Sequence, residues 1–179
     1  MTTSGFKRLT LVTLAAGALA AALSACAPLV VGGVMVGGAL VATDRRTSGA
    51  QLEDEGIELR SANRIKDTVG DKAHVNVTSY NRQVLLTGEA PTAQDRERIE
   101  AAVKGVDNVR GVVNELAVMP NSSLTQRSND TLITGKVKAS FVDAKDISLN
   151  AFKVVTERNT VYLLGIVTTR EANRVTDIT

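Results

Sequence analysis

The chain has one cysteine, one histidine and no tryptophan in 179 residues. That scarcity excludes a disulfide framework, a zinc cluster and a Cys/His catalytic pair, so neither thiol nor metal chemistry is expected and no cofactor is implied. A hydrolytic enzyme is disfavoured for the same reason, because a single His leaves no nucleophile, base and orienting partner to assemble. Aromatic side chains are nearly as rare. Phe6, Tyr80, Phe141, Phe152 and Tyr162 are the full set, which leaves Val, Leu, Ile and Ala to fill a core. An excess of one charge is also lacking. With Lys7 and Arg8 in a segment argued below to be removed, the remainder of the 21 lysines and arginines balances the 19 aspartates and glutamates. A neutral chain gives no case for a nucleic-acid partner, and the scattered Lys72, Arg82 and Arg96 have no aromatic platform beside them. At 44% hydrophobic residues, the composition is that of a globular protein of one domain or two small ones.

What is present begins at the N-terminus. Lys7-Arg8 followed by the uncharged run Leu9 to Leu23 has the basic flank and short apolar stretch of an export signal, too short for a comfortable membrane span. Leu23-Ser24-Ala25-Cys26 then resembles the lipobox of bacterial lipoproteins. The resemblance implies a signal peptide over residues 1–25, diacylglycerol on the Cys26 sulfur and acylation of the new amine. Each buried methylene would add about 0.8 kcal/mol to anchoring. Ala27 after the cysteine implies, in such lipoproteins, sorting to the outer membrane, facing the periplasm. Residues 26–51 read as the acylated N-terminus and a Gly-rich tether. Within them Gly33 and Gly37 have the spacing of helices packed in lipid. Ala27 to Ala42 is only 16 residues, however, short of a ~30 Å hydrocarbon core, so a tether along the bilayer surface is the expectation. Gly32-Gly33 and Gly37-Gly38 lack the lysine of a phosphate-cradling loop.

The rest of the chain repeats itself. Val77, Val84, Leu86 and Gly88, shifted by 77 positions, land on Val154, Val161, Leu163 and Gly165. Each repeat reads as a helix, an alternating strand, a short polar turn (Asn81-Arg82-Gln83; Arg158-Asn159-Thr160) and a second strand. In the first repeat a helix opens at Pro91-Thr92 and runs to about Lys104, with Ile99, Ala102 and Val103 on one face and Gly105 ending it. A closing strand, Val109 to Val118, follows. Residues 52–119 form the first domain, 120–128 (PNSSLTQRS) the linker and 129–179 the second domain. That second domain is expected to be C-terminally incomplete, because 31 residues lead from Gly88 to Met119 but only 14 follow Gly165.

The ordered set Val84-x-Leu86-x-Gly88, Gly105-Val106-x-x-Val109 and Asn114-x-Leu116-x-Val118 resembles the BON domain, a small αββαβ module. Gly88, Gly105 and Gly165 are then its structural glycines. An α+β protein with two such modules in tandem behind a lipobox is similar to the dual-BON outer-membrane lipoproteins. The resemblance implies a non-enzymatic envelope-integrity factor that binds anionic phospholipid.

Helical wheels separate the first helices of the two repeats. In the first, Leu59, Ala62, Ile65 and Val69 gather on a core side against Arg60, Asn63, Arg64 and Asp67. In the second, Ile133, Val137, Phe141 and Ala144 form the core side, while Leu132, Gly135, Ala139 and Val142 line the other, bordered by Lys136 and Lys138. One reading is a shallow lipid-contact stripe with snorkelling lysines. The other is a helix packed between two layers of its own protein, the second layer being the first repeat. The lipoproteins that the chain resembles tend to carry tryptophan where this chain has Leu132, a departure from the pattern. Membrane attachment through Cys26 and anionic phospholipid are the expected partners, with a periplasmic protein partner as the alternative. His74 is expected to be hydrogen-bonded or exposed, with no metal role, and Glu53-Asp54-Glu55 to be a solvated helix start.

Overall fold

A computed structural model describes residues 44–144 and 146–179; Cys26 and the tether up to residue 43 lie outside the described residues. Helix α1 spans Ser48–Val69 and is started by Thr47, whose hydroxyl accepts from the Ala50 amide at 3.1 Å. It therefore begins inside the stretch expected as tether. Its buried positions are Asp54, Ile57, Ser61, Ile65 and Val69, an unbroken i, i+3/i+4 stripe. This corrects the expected core side: Leu59 is 65% exposed and Ala62 is exposed. Ile57 and Leu59, two residues apart, cannot share a helix face, and polar Asp54 and Ser61 complete the stripe in place of the two apolar residues.

Strands β1 (His74–Tyr80) and β2 (Gln83–Ala90) form an antiparallel hairpin. Helix α2 (Ala93–Lys104), capped by Thr92, crosses back so that β3 (Gly111–Asn114) and β4 (Ala117–Val118) pair with β2 in parallel. The expected single strand over 109–118 is thus two. Between them Asn114 turns its own side chain to the backbone, Oδ1 accepting from the Leu116 amide at 3.2 Å. Its amide group meanwhile donates to Glu100 at 2.8 Å. The core under α1 and α2 gathers Ile57, Ile65, Val69, Val84, Leu86, Ile99, Val103 and Leu116.

The second repeat has α3 (Leu124–Asp143), the hairpin β5 (Phe152–Glu157) and β6 (Thr160–Gly165), and α4 (Thr169–Asp177). Here α3 starts inside the stretch expected as linker. Ser123 and Gln126 form a reciprocal capping box, an S-x-x-Q signature within the apparent linker. The α+β architecture of two repeated modules is as expected.

Both hairpins turn on two residues with positive φ, Asn81-Arg82 (50°, 68°) and Arg158-Asn159 (50°, 59°), the geometry of type I′ turns. None of the four is glycine. In each repeat a buried aspartate from the preceding helix holds the turn. Asp54 accepts from the Asn81 and Arg82 amides, both at 2.7 Å, and Asp130 from Arg158 and Asn159 at 3.0 and 2.8 Å. Far from being a solvated helix start, Asp54 is fully buried and also accepts from Ser79 Oγ and Arg46.

Strand alternation sends Val84 and Leu86 to the helices and Leu85, Thr87 and Glu89 to the opposite face, yet both sets are buried. The second repeat covers that opposite face. Asn76 donates to Glu157 at 2.7 Å, Lys153 to Glu58 at 2.6 Å, and Arg158 to the Gly88 carbonyl at 2.6 Å.

Candidate functional site

Two facts about α3 set its exposed face. On the buried side Phe141 is enclosed and lies 5.9 Å from the Phe152 ring. Val137 packs beside it, with Ile133 and Val154 in the same cluster. Burying an aromatic or branched side chain of this kind stabilises by about 1.5–3 kcal/mol each, so the rotation of α3 about its axis is fixed. Thr134 also donates to Thr156 Oγ1 at 2.8 Å, pinning the helix to β5.

The opposite side then has nowhere to go but outward. Leu132 and Val142 are each 63% exposed, Ala139, Lys136 and Lys138 are exposed, and a methyl built on Gly135 would meet no atom within 4 Å. The first repeat does not cover this face, which overturns the reading of α3 as a helix packed between two layers. Leu124, 79% exposed, extends the same stripe toward the start of the helix: it lies eleven residues before Gly135 and eighteen before Val142, about three and five whole turns at roughly 3.6 residues each. It lies within residues 120–128, whose polar composition reads as a linker in the sequence. The capping box at Ser123 was the signal that places it on the helix.

Among the described residues neither Lys136 nor Lys138 is in an ion pair, whereas Lys104 pairs with Glu100 and Lys153 with Glu58. What distinguishes Lys136 and Lys138 is their place beside the stripe, since among the described residues Lys66 and Lys72 are likewise outside the ion pairs. The two ammonium groups flanking the stripe are thus free to meet an external anion. Lys138 also borders a shallow groove shared by Glu58, Thr78, Phe152 and Lys153 where the repeats meet. A helix of 20 residues is about 30 Å long, so the apolar stripe with cationic edges has the shape of a surface-lying amphipathic helix.

The glycines fall into different classes. Gly88 has φ +114°, and a Cβ there would sit 2.1 Å from the His74 carbonyl oxygen. Gly165, its counterpart, leaves 2.8 Å between such a Cβ and the Ala151 oxygen. Gly105 caps α2 in an ordinary right-handed conformation, and its carbonyl accepts from Arg64 at 2.6 Å. His74 Nδ1 lies 3.1 Å from Glu89 Oε2; it sits between the two sheets, away from the stripe. No helix among the described residues is long and apolar enough to cross a membrane.

Comparison with known proteins matches residues 53–120 and 129–179 to the BON domain. The chain is similar to the outer membrane lipoprotein DolP of Haemophilus influenzae, 41% identical over 159 residues that cover 87% of this chain and 81% of that protein. It is also similar to a 21 kDa hemolysin of Actinobacillus pleuropneumoniae, 31% identical over 137 residues, covering 75% and 71% respectively.

Proposed function

The chain belongs to the BON domain family, and from that premise we propose that it is a non-enzymatic outer-membrane lipoprotein whose α3 reads anionic phospholipid in support of envelope integrity. In this reading acylated Cys26 provides the anchor and the fold faces the periplasm; the similarity to an outer membrane lipoprotein supports it. The observation that carries the lipid reading is the uncovered stripe from Leu124 to Val142 with Lys136 and Lys138 unpaired beside it. Each lysine near an anionic leaflet contributes about 1 kcal/mol, and the shallow apolar stripe adds area burial. Binding by α3 alone is weak. Anchoring at Cys26 raises its effective concentration at the bilayer, so weak binding suffices.

Co-sedimentation with vesicles tests this reading, using a soluble form that begins at Asp44. Binding should rise with the phosphatidylglycerol fraction, fall at high salt as charge screening requires, and be lost in the Lys136→Glu/Lys138→Glu variant. A specific feature favours a second reading, a protein-docking adaptor: Leu52 and Leu59, seven residues apart on α1, are 70% and 65% exposed. Vesicle binding indifferent to anionic lipid and to both lysines, together with a partner lost on Leu52→Ser/Leu59→Ser, would replace the lipid reading with the adaptor.

A further inference from the structure

The surface between the two sheets ends in a polar cluster that neither lipid contact nor anchoring uses. His74 and Glu89 are cross-strand partners in the β1–β2 register, so the hairpin itself sets them side by side on the face turned to the second repeat. Glu157, the last residue of β5, arrives from that second repeat and is oriented by the Asn76 amide group at 2.7 Å. One ligand atom from each of the three lies within 4.8 Å of the others. Both carboxylates are buried, Glu89 completely.

The cluster is short of donors. Glu89 Oε2 accepts from His74 and from the Ser122 amide at 3.0 Å, but its Oε1 has no hydrogen-bond partner among the described residues. The nearest cation, Arg158, stands 3.8 Å from that oxygen and spends its hydrogen bonds on the Gly88 and Glu115 carbonyls at 2.6 and 3.3 Å. A buried carboxylate oxygen without a donor is destabilising. Two buried carboxylates thus share one guanidinium and the His74 imidazole, 3.1 Å from Glu89 Oε2, as their cationic neighbours.

We propose that His74, Glu89 and Glu157 form a divalent-cation site that clips the two repeats together, taking an ion of the zinc class. One imidazole nitrogen and two carboxylate oxygens suit first-row ions such as Zn²⁺, which accepts three protein ligands and a water. Ca²⁺ and Mg²⁺ prefer all-oxygen shells and fit this set poorly. A lone His and a lone Cys give no metal site between them. Here the partners are glutamates 15 and 83 positions away, brought together by strand register and by the docking of the repeats.

The test uses the untagged full chain in detergent micelles, stripped of metal by chelator and titrated with ZnCl₂ by calorimetry. His74 is the sole histidine of the chain, so its ring resonances report on the site without any substitution. One Zn²⁺ per chain should bind and shift those resonances, with MgCl₂ leaving them in place. His74→Gln and Glu157→Gln should each weaken Zn²⁺ binding at least tenfold while far-UV circular dichroism stays native. The proposal is overturned if Zn²⁺ leaves the His74 resonances unmoved, or if binding is equally strong in both variants. Where a variant fails to fold, the wild-type resonance shift alone decides.

Discussion

Asp54 ties the first hairpin turn to α1 through a buried carboxylate with four donors. Burial by itself pushes its carboxyl group up, but the Ser79 hydroxyl, the Arg82 amide, the Arg46 guanidinium and the Asn81 amide hold it below its ordinary value of 3.8. Four donors therefore lose their acceptor in Asp54→Ala. Removing one partner from a buried, charged network costs about 3–5 kcal/mol, which urea unfolding should register as a lower midpoint. The sign with pH follows from the lowered value. A group held down in the folded state stabilises above its unfolded pKa, and that contribution drains away as pH falls below about 3.8 toward the folded value. Acid unfolding should accordingly be less steep in Asp54→Asn than in the wild-type chain. A second residue-scale outcome concerns Gly88. Its φ of +114° and the 2.1 Å left for a Cβ beside the His74 carbonyl combine a forbidden conformation with a backbone clash. Gly88→Ala should lose on the order of 3 kcal/mol or more, measured by the same unfolding experiment.

At the scale of elements, α3 shows how a helix can be rotated by its core and still present a second apolar face. Exposed apolar residues stabilise a fold by very little, so Leu124→Ser and Val142→Ser should change unfolding free energy by no more than about 0.5 kcal/mol. The same substitutions should reduce vesicle binding several-fold, since each removes apolar surface from the bilayer contact. Phe141→Ala should do the reverse, costing about 3–5 kcal/mol of stability through the cavity left against Phe152. Stability and vesicle binding measured on the same three variants thus separate the two faces of one helix. The Val137/Phe141 face and the Leu132–Val142 stripe were both legible in sequence because α3 alternates them with helical period. Helix α1 was misread at Leu59 and Ala62 because its buried stripe contains Asp54 and Ser61. Hydrophobicity cannot locate a core position filled by an ion whose partners, Ser79, Asn81 and Arg82, lie 25 to 28 residues on. The repeat offset that aligned Gly88 with Gly165 also comes within one position of aligning Asp54 with Asp130. That pairing was the available signal for the turn clamps.

For the whole molecule, the contacts that join one repeat to the other decide how α3 is held relative to the first repeat. One joint lies at the start of the described chain. Arg45 donates to both oxygens of Glu171, at 2.9 and 2.7 Å, and to the Ile166 carbonyl at 3.0 Å. Hydrogen bonds from Arg45 and from Thr168 bring the Glu171 carboxyl down from 4.5 to about 2. The latch therefore holds above pH 4.5 and releases as pH falls from there through 2. Carbon-detected titration should find Glu171 with a midpoint near 2 in the wild-type chain and closer to 4.5 in Arg45→Ala.

The deeper joint is Arg158, which sits in the second hairpin turn yet donates to Gly88 and Glu115 of the first repeat, at 2.6 and 3.3 Å. It is also the cation nearest the Glu89 oxygen that has no donor among the described residues. Its backbone adopts a positive φ of 50°, tolerated because Asp130 takes the amide. Arg158→Ala keeps that turn and that amide but strips two carbonyls and a buried carboxylate of their charged neighbour. Hydrogen bonds to a charged group contribute about 1.5–3 kcal/mol, and the loss falls entirely on the contact between repeats. Differential scanning calorimetry should show the transition of the wild-type chain broaden or divide in Arg158→Ala, with the second repeat melting first, since its core cluster is the smaller one. Arg158→Lys should not restore it, because one ammonium cannot reproduce the fork that reaches both carbonyls. If the variant instead melts as one unit at the wild-type temperature, the repeats are coupled by the Lys153–Glu58 and Asn76–Glu157 contacts without Arg158.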